Sequence, residues 1–417
     1  MLLLAWWLCG SWLNHLSLYT FVWTLALGAY ELHWIRYNSI SPTAWLYIFV
    51  AWVGVYLGTA IVMVPGKRPV NLSVPHYLPR LKLVIIIFSL AGLASSAVLA
   101  RQIMRDINPN LLLAVTLGTP QIYQSNFEET GQFSGIPYLG FLPLAASALA
   151  GAYAARRGRI DWVCLFPMLV ATINGILSVS RWAILLSVAL FLTALYLTPR
   201  PKPIRLSLIQ KGLLILVGLG GLAFVSFARN DLALSLTDQS TTLSHISEWV
   251  PVAPSIYFYV SAGPPGLSEY LRDPQQEGNL PWGRYTFASV YRFLSKLGLA
   301  TYVPYHQEFY STPEWVNTCT YIREVHSDFG VAGVLIFPIV LGAVAGWLSS
   351  FRGSLVRVMV LTHVYFLVLL SYTSLVMSAG PWFQSFVVSL IAAVFVERAS
   401  HSGSPVRTVR TVQGLVS

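Results

Sequence analysis

Apolar residues along this chain fall into long, nearly uninterrupted blocks separated by short polar stretches. The blocks are about 20 residues long, the length a helix needs to cross the hydrocarbon of a bilayer. We read ten such helices: Leu16–Trp34, Thr43–Val64, Leu81–Ala100, Gly135–Ala155, Trp162–Ser180, Trp182–Leu197, Ile209–Ala228, Phe329–Ser349, Leu355–Met377 and Trp382–Val396. Short alternating strands of the barrel type do not fit the pattern. The expected fold class is an all-α polytopic membrane protein with about ten transmembrane helices. Spans one to seven occupy residues 1–228, with an outer segment at 101–134. A large outer loop covers 229–328, spans eight to ten cover 329–396, and a tail covers 397–417. The apolar start MLLLAWWLCG shows no small-residue cleavage site and reads as part of a retained span or a segment lying on the membrane.

Composition supports the membrane class: 55% of residues are hydrophobic and 10% charged, against about 25% charged in soluble domains. The net charge of +10 is distributed unevenly. The linkers after spans two, four, six and eight, together with the tail, hold 16 Lys and Arg residues against two acids, Asp161 and Glu397. The opposite side holds 10 basic and 14 acidic residues. Basic linkers stay in the cytoplasm, so both termini are expected there. The positive charge is thus a topology signal and gives no reason to invoke nucleic acid. The three cysteines, Cys9, Cys164 and Cys319, have neither disulfide nor zinc spacing. The outer segments carry no DxD-like acidic pair near a span, so no metal or cofactor is expected.

Chemistry is therefore sought on the outer side. The stretch NTCTYIREVHSDFG crowds Arg323, Glu324, His326 and Asp328 into six positions, and the next charge is Arg352. Asp328 is placed to cap the N-terminus of span eight. Glu324 lies i,i+4 before Asp328, a like-charge pair that can raise one carboxyl pKa and suit a general base. His326 reads either as a base or as an interfacial polar group. The loop 229–328 carries sixteen aromatics, among them Tyr257, Tyr259, Tyr270 and Tyr321, a density that implies packed or membrane-associated structure. Residues 250–260 are apolar but too short to cross, and so interfacial or re-entrant. Residues 281–298 predict a helix with Phe287, Val290, Tyr291, Leu294 and Leu297 on one face and Arg292 and Lys296 on the other, resting on the bilayer surface. These basic groups fit lipid phosphates as well as a substrate pyrophosphate gripped by guanidinium forks. Arg181, in SVSRWAILL, stands between two apolar blocks, at the apex of a tight hairpin or at the start of span six. A charge so placed costs about 2.5–3.5 kcal/mol on insertion scales unless it has a route to the interface. Arg229, in FARND, reads first as a flanking anchor. Within span eight, Gly342 and Gly346 form a small-x-x-x-small pair for close helix packing, and Pro338 is a candidate kink.

The segment NTCTYIREVHSDFGVAGVLIFPIVLGAVAGW (317–347) resembles the Asn-x-x-Thr … Asp-Phe-Gly-x-x-Gly segment that opens a span in bacterial oligosaccharide repeat-unit polymerases, the Wzy-type O-antigen and capsule polymerases. YFYVSAGPPGLSEYL and GRYTFASVYRFLSKLG are similar to that family's outer-loop pattern, SVSRWAILL to its Ser-Arg span start, and SPTAWLYIFVAWVGVYLG to its second span. The resemblance covers most of the chain. It implies a GT-C-like membrane fold and metal-independent transfer of a growing glycan from undecaprenyl pyrophosphate to a new lipid-linked repeat unit. Arg181 matches the Ser-Arg position, Arg284 and Arg292 the loop arginines, and Asn317 and Asp328 the span-opening motif. On this reading Arg181, Arg284, Arg292, Arg323, His326 and Asp328 are the catalytic candidates. Arg229, Tyr257, Tyr259, Asn317, Tyr321 and Glu324 are the substrate-binding candidates. The implied partners are the undecaprenyl-pyrophosphate-linked glycan and membrane lipid, with a chain-length regulator and a flippase as further candidates. The related O-antigen ligases carry a His-Asn pair where this chain has Val316 before Asn317, which favours polymerase over ligase. A lipid-linked glycan transporter is a rival reading, but the span centres are nearly free of charge, Glu31 lying near a span end, and no internal repeat is visible.

Overall fold

The computed structural model of the chain describes residues 2–62 except 11 and 13, 77–127, 133, 135–200, 212, 239–250, 253–273, 282–303, 309–312, 315–350 and 354–401. The expected seventh span (209–228, apart from residue 212), Arg229 and the tail beyond residue 401 lie outside the described residues. The described chain is helical throughout, apart from one short ribbon. Its helices are α1 (Leu2–Cys9), α2 (His15–Glu31), α3 (Pro42–Val62), α4 (Leu78–Asp106), α5 (Leu111–Leu117), α6 (Thr119–Phe127), α7 (Leu142–Arg157), α8 (Trp162–Leu177) and α9 (Arg181–Leu197). They continue as α10 (Thr241–Trp249), α11 (Ala253–Ser261), α12 (Gly263–Arg272), α13 (Ala288–Lys296), α14 (Thr320–Ser349), α15 (Leu355–Leu370) and α16 (Gly380–His401). Strands β1 (Tyr310–Ser311) and β2 (Trp315–Val316) pair antiparallel, Tyr310 opposite Val316.

Among the described residues, five helices are long and apolar enough to cross a membrane: α3, α4, α7 with its preceding turn, α14 and α16. The apolar helices α8, α9 and α15 are shorter. This is an all-α membrane protein, and its side-chain arrangement follows from the solvent. Lipid exerts no hydrophobic drive between helices, so bulky apolar residues face outward and small ones face in. Leu57 and Ile61 of α3, Leu83 and Ile87 of α4, Ile336 and Val340 of α14, and Ile391 and Phe395 of α16 are all exposed. The alanine-rich α7 is instead buried from Pro143 to Arg156, against α4, α8, α9, α15 and α16. Its Gly151 meets α9 so closely that a Cβ there would lie 2.2 Å from the Phe191 carbonyl oxygen.

The second tight contact pairs α3 with α14. A Cβ on Gly58 would fall 1.9 Å from Ile339 O, and one on Gly342 would fall 2.0 Å from Val55 O. Gly346 faces Thr59 and Val62 in the same seam, so the small-residue pair read in span eight packs on span two. Thr59 Oγ1 donates across it to Gly342 O (3.1 Å) and lies 2.9 Å from Nε2 of the buried His15.

The break in α14 is at Gly330 (φ 59°, ψ −150°), a conformation open essentially to glycine alone, whereas Pro338 continues the helix. The expected span at Phe329 thus acquires an extra preceding helical segment, residues 320–329. This first half of α14 is tied to the end of α15 by Thr320 N–H to Thr373 O and Tyr321 N–H to Ser371 O, both 3.0 Å. Those carbonyls exist as acceptors because α15 ends at Leu370, short of the expected Met377.

The glycine seam generates a stability prediction. Gly58→Ala should destabilise the protein by at least ~1–3 kcal/mol, because the obstructing atom is backbone and cannot move aside. Gly28→Ala, with nothing within 4 Å of the added Cβ, should be neutral or slightly stabilising. Thermal unfolding of the two variants in the same detergent compares them.

Candidate functional site

The loop segments gather at one end of the bundle, around the first half of α14. Arg323 and Glu324 are 5% and 3% exposed, and Arg323 Nη2 donates to Glu324 Oε1 at 2.9 Å. Arg323 Nη1 also lies 3.5 Å from Cys319 Sγ. Arg323 Nε and Glu324 Oε2 have no hydrogen-bond partner among the described residues. A buried ion pair of this kind holds its two members to each other; removal of either would leave an uncompensated charge, a loss of roughly 3–5 kcal/mol. Burial pushes the neighbouring Cys319 thiol up to about 11, so it stays protonated at neutral pH.

Asp328 is fully buried within α14 and does not cap span eight. Its carboxylate accepts the backbone N–H of Tyr285 (3.0 Å) through Oδ1 and that of Thr286 through Oδ2. This clamps a turn in which Trp282 and Gly283 take positive φ values of 50° and 89°. The expected helix over 281–298 is consequently shorter. Residues 282–287 are turns and the helix is α13 alone. Glu324 and Asp328 each have a separate partner set, so the expected mutual repulsion does not define the cluster.

His326 is half-buried and its Nδ1 lies 3.0 Å from the Tyr270 hydroxyl, which lies 2.8 Å from Ser327 Oγ. Its ring sits tilted to Tyr47 and edge-on to Tyr270. Burial pushes the Tyr270 phenol up to about 12, so its proton stays on at physiological pH. Tyr321 is buried beside Tyr19, the two hydroxyls 3.2 Å apart.

The arginines expected to share one cleft make four separate sets of contacts. Arg181 is the first residue of α9, half-buried, with its guanidinium 4.8 Å from the ring centroid of Tyr259. It donates to Tyr259 OH (2.9 Å) and Ser255 Oγ (3.3 Å). Arg284 donates to Tyr302 O at 3.0 Å. Arg292 donates to Ser378 O, which also accepts from Ser289 Oγ at 2.6 Å. Arg323 is committed to Glu324. α13 thus turns polar groups toward the junction of α15 and α16, while Phe287, Phe293 and Leu297 are exposed. Tyr257 ties α11 to α2, donating to Ala29 O and accepting from Trp34 N (3.1 Å). Asn317 is half-buried just after β2.

One connection joins Arg181 and His326. α11 brings Tyr259 to Arg181, and α12, which follows at once, brings Tyr270 to His326. Tyr270, Ser327 and Ser255 are site residues that sequence reasoning passed over; no local pattern pairs residue 270 with 326 or residue 255 with 181. Among the described residues, no three His, Cys, Asp or Glu side chains come together as a metal site. No family model matches the chain, and searches of curated proteins and solved structures give no match.

The Asp328 clamp can be tested directly. Asp328→Ala removes acceptors from two amides, each worth ~1–3 kcal/mol if left unpaired. Hydrogen exchange at Tyr285 and Thr286 should accelerate at least tenfold, with smaller effects in α7 and α9.

Proposed function

We propose that this protein is a metal-independent membrane glycosyltransferase. It polymerises undecaprenyl-pyrophosphate-linked oligosaccharide repeat units at the outer face of the bacterial cytoplasmic membrane. The reading includes ten spans in a GT-C-like arrangement, with both termini in the cytoplasm. The resemblance of residues 317–347 to repeat-unit polymerases supports it, as does the partition of Lys and Arg between linkers. So does the gathering of α10–α13 at the end of the bundle where α9 and α14 begin and α15 ends.

The observation that carries the proposal is the α11–α12 pair, which links a half-buried arginine to a half-buried histidine on the loop face. In the reaction, a hydroxyl of the incoming repeat unit attacks the anomeric carbon of the lipid-linked glycan. The bond from that carbon to the pyrophosphate oxygen breaks, and the leaving pyrophosphate takes the electron pair. Negative charge therefore builds where a guanidinium acts best. Arg181 is preorganised for this by Tyr259 and Ser255, which fix its plane. Arg284 and Arg292 add positive potential from the neighbouring loop. Of the three titratable candidates beside the reacting sugar, Asp328 has both oxygens engaged and Glu324 is held by Arg323. His326 keeps one ring nitrogen free of protein partners among the described residues.

The purified protein in proteoliposomes, supplied with lipid-linked repeat units, should yield a ladder of longer glycans. A single transfer onto a different lipid acceptor would instead indicate ligase-type chemistry, and translocation without bond formation a transporter. Arg181→Lys should reduce polymerisation by ~10²-fold, because an ammonium cannot reproduce the planar fork. Full-length ladders from that variant would remove Arg181 from the pyrophosphate site.

A further inference from the structure

The hydroxyls around His326 determine which of its nitrogens carries the proton. Nδ1 faces the Tyr270 hydroxyl at 3.0 Å, and that hydroxyl faces Ser327 Oγ at 2.8 Å. Nε2 has no partner among the described residues and is not sealed away from solvent. A hydroxyl has one proton to give and lone pairs to accept, and a neutral imidazole gives from one nitrogen and accepts at the other. Suppose Nδ1 carried the proton. It would donate to Tyr270, Tyr270 would donate to Ser327, and the Ser327 proton would have no acceptor among the described residues. With Nδ1 bare, Ser327 donates to Tyr270 and Tyr270 donates to Nδ1, and both hydroxyl protons are used. An idle donor in a partly buried site costs up to ~1–3 kcal/mol, enough to bias the tautomer by tenfold or more.

We infer that Tyr270 and Ser327 hold neutral His326 as the Nε2–H tautomer, so its open nitrogen is a hydrogen-bond donor to an anionic oxygen of the substrate and not a general base. Tyr270 is a positioning residue, acting through the ring it orients. The identity of the acceptor rests on the proposed function: it is a phosphate oxygen of the departing lipid diphosphate. The new glycosidic bond forms as the bond from the anomeric carbon to that phosphate breaks. The electron pair leaves with the diphosphate, which is also the base that finally takes the proton of the attacking hydroxyl. His326 gives up no proton and gains none in the step; its N–H strengthens as charge accumulates on the oxygen.

Two measurements separate the tautomer from the chemistry. Nitrogen NMR of the full chain, 15N-labelled at histidine and held in lipid nanodiscs at a pH where the imidazole is neutral, reads the tautomer without any substrate. The His326 signals, identified by their loss in His326→Gln, should show a protonated Nε2 and a bare Nδ1. Tyr270→Phe should convert them to a mixture of tautomers. A protonated Nδ1 in the unsubstituted protein overturns the inference. In the glycan-transfer assay, Gln places an amide N–H near the position of Nε2, whereas Asn places one near Nδ1. His326→Gln should retain transfer to within ~10-fold, while His326→Asn and His326→Ala should lose ~10²–10³-fold. A Gln variant as impaired as the Ala variant overturns the donor role. If the unsubstituted protein makes no longer glycan at all, the polymerase reading falls, and the NMR result still decides the tautomer.

Discussion

Close backbone contact between α3 and α14 is the constraint from which the loop face takes its shape. In lipid, two helices gain little from hiding apolar side chains, so they adhere where their backbones can approach. Gly58 and Gly342 permit that approach, and Thr59 adds a hydrogen bond across it. The second half of α14 is thereby fixed in place. Gly330 then turns the chain, and the first half is held from its other side by the end of α15. Arg323, Glu324, His326 and Asp328 have their positions because a rigid seam below and two backbone hydrogen bonds beside them leave that half-turned helix no freedom.

Much of the helical layout was legible because the membrane imposes one dominant period and one dominant length. Each described block read as a span contains a helix, although residues 135–141 and 371–377 lie outside α7 and α15, and the glycine pair of span eight lies in a real seam. Discrepancies collect where polar residues interrupt the blocks. α15 stops at Leu370, where the Ser371 and Thr373 carbonyls turn aside to accept the Tyr321 and Thr320 amides. The turn at 282–287 replaces two turns of expected helix because Asp328 offers those amides a better acceptor than the next helical carbonyl. Such a competition involves a residue some forty positions away. Periodicity cannot register it.

The crowding of four titratable groups at the head of α14 has a physical reason that sequence alone left divided between cap, base and phosphate grip. A loop that carries charge against a bilayer must satisfy that charge, or bear roughly 2.5–3.5 kcal/mol for each group left near hydrocarbon. Arg323 and Glu324 satisfy each other, and Asp328 satisfies itself on two amides. In doing so Asp328 fastens the 282–287 turn to α14. Most of the charge singled out in the sequence therefore serves to build the site.

What is left after that anchoring is small and specific. Arg181 stacks on Tyr259 with Ser255 at its edge, and His326 hangs between two tyrosines with one nitrogen open. Both rest on the same pair of short helices, where hydroxyls and aromatic rings position them. Hydroxyls and aromatic faces orient a cation or an imidazole without discharging it, so the geometry of both groups is set while their charge and hydrogen-bonding capacity are kept.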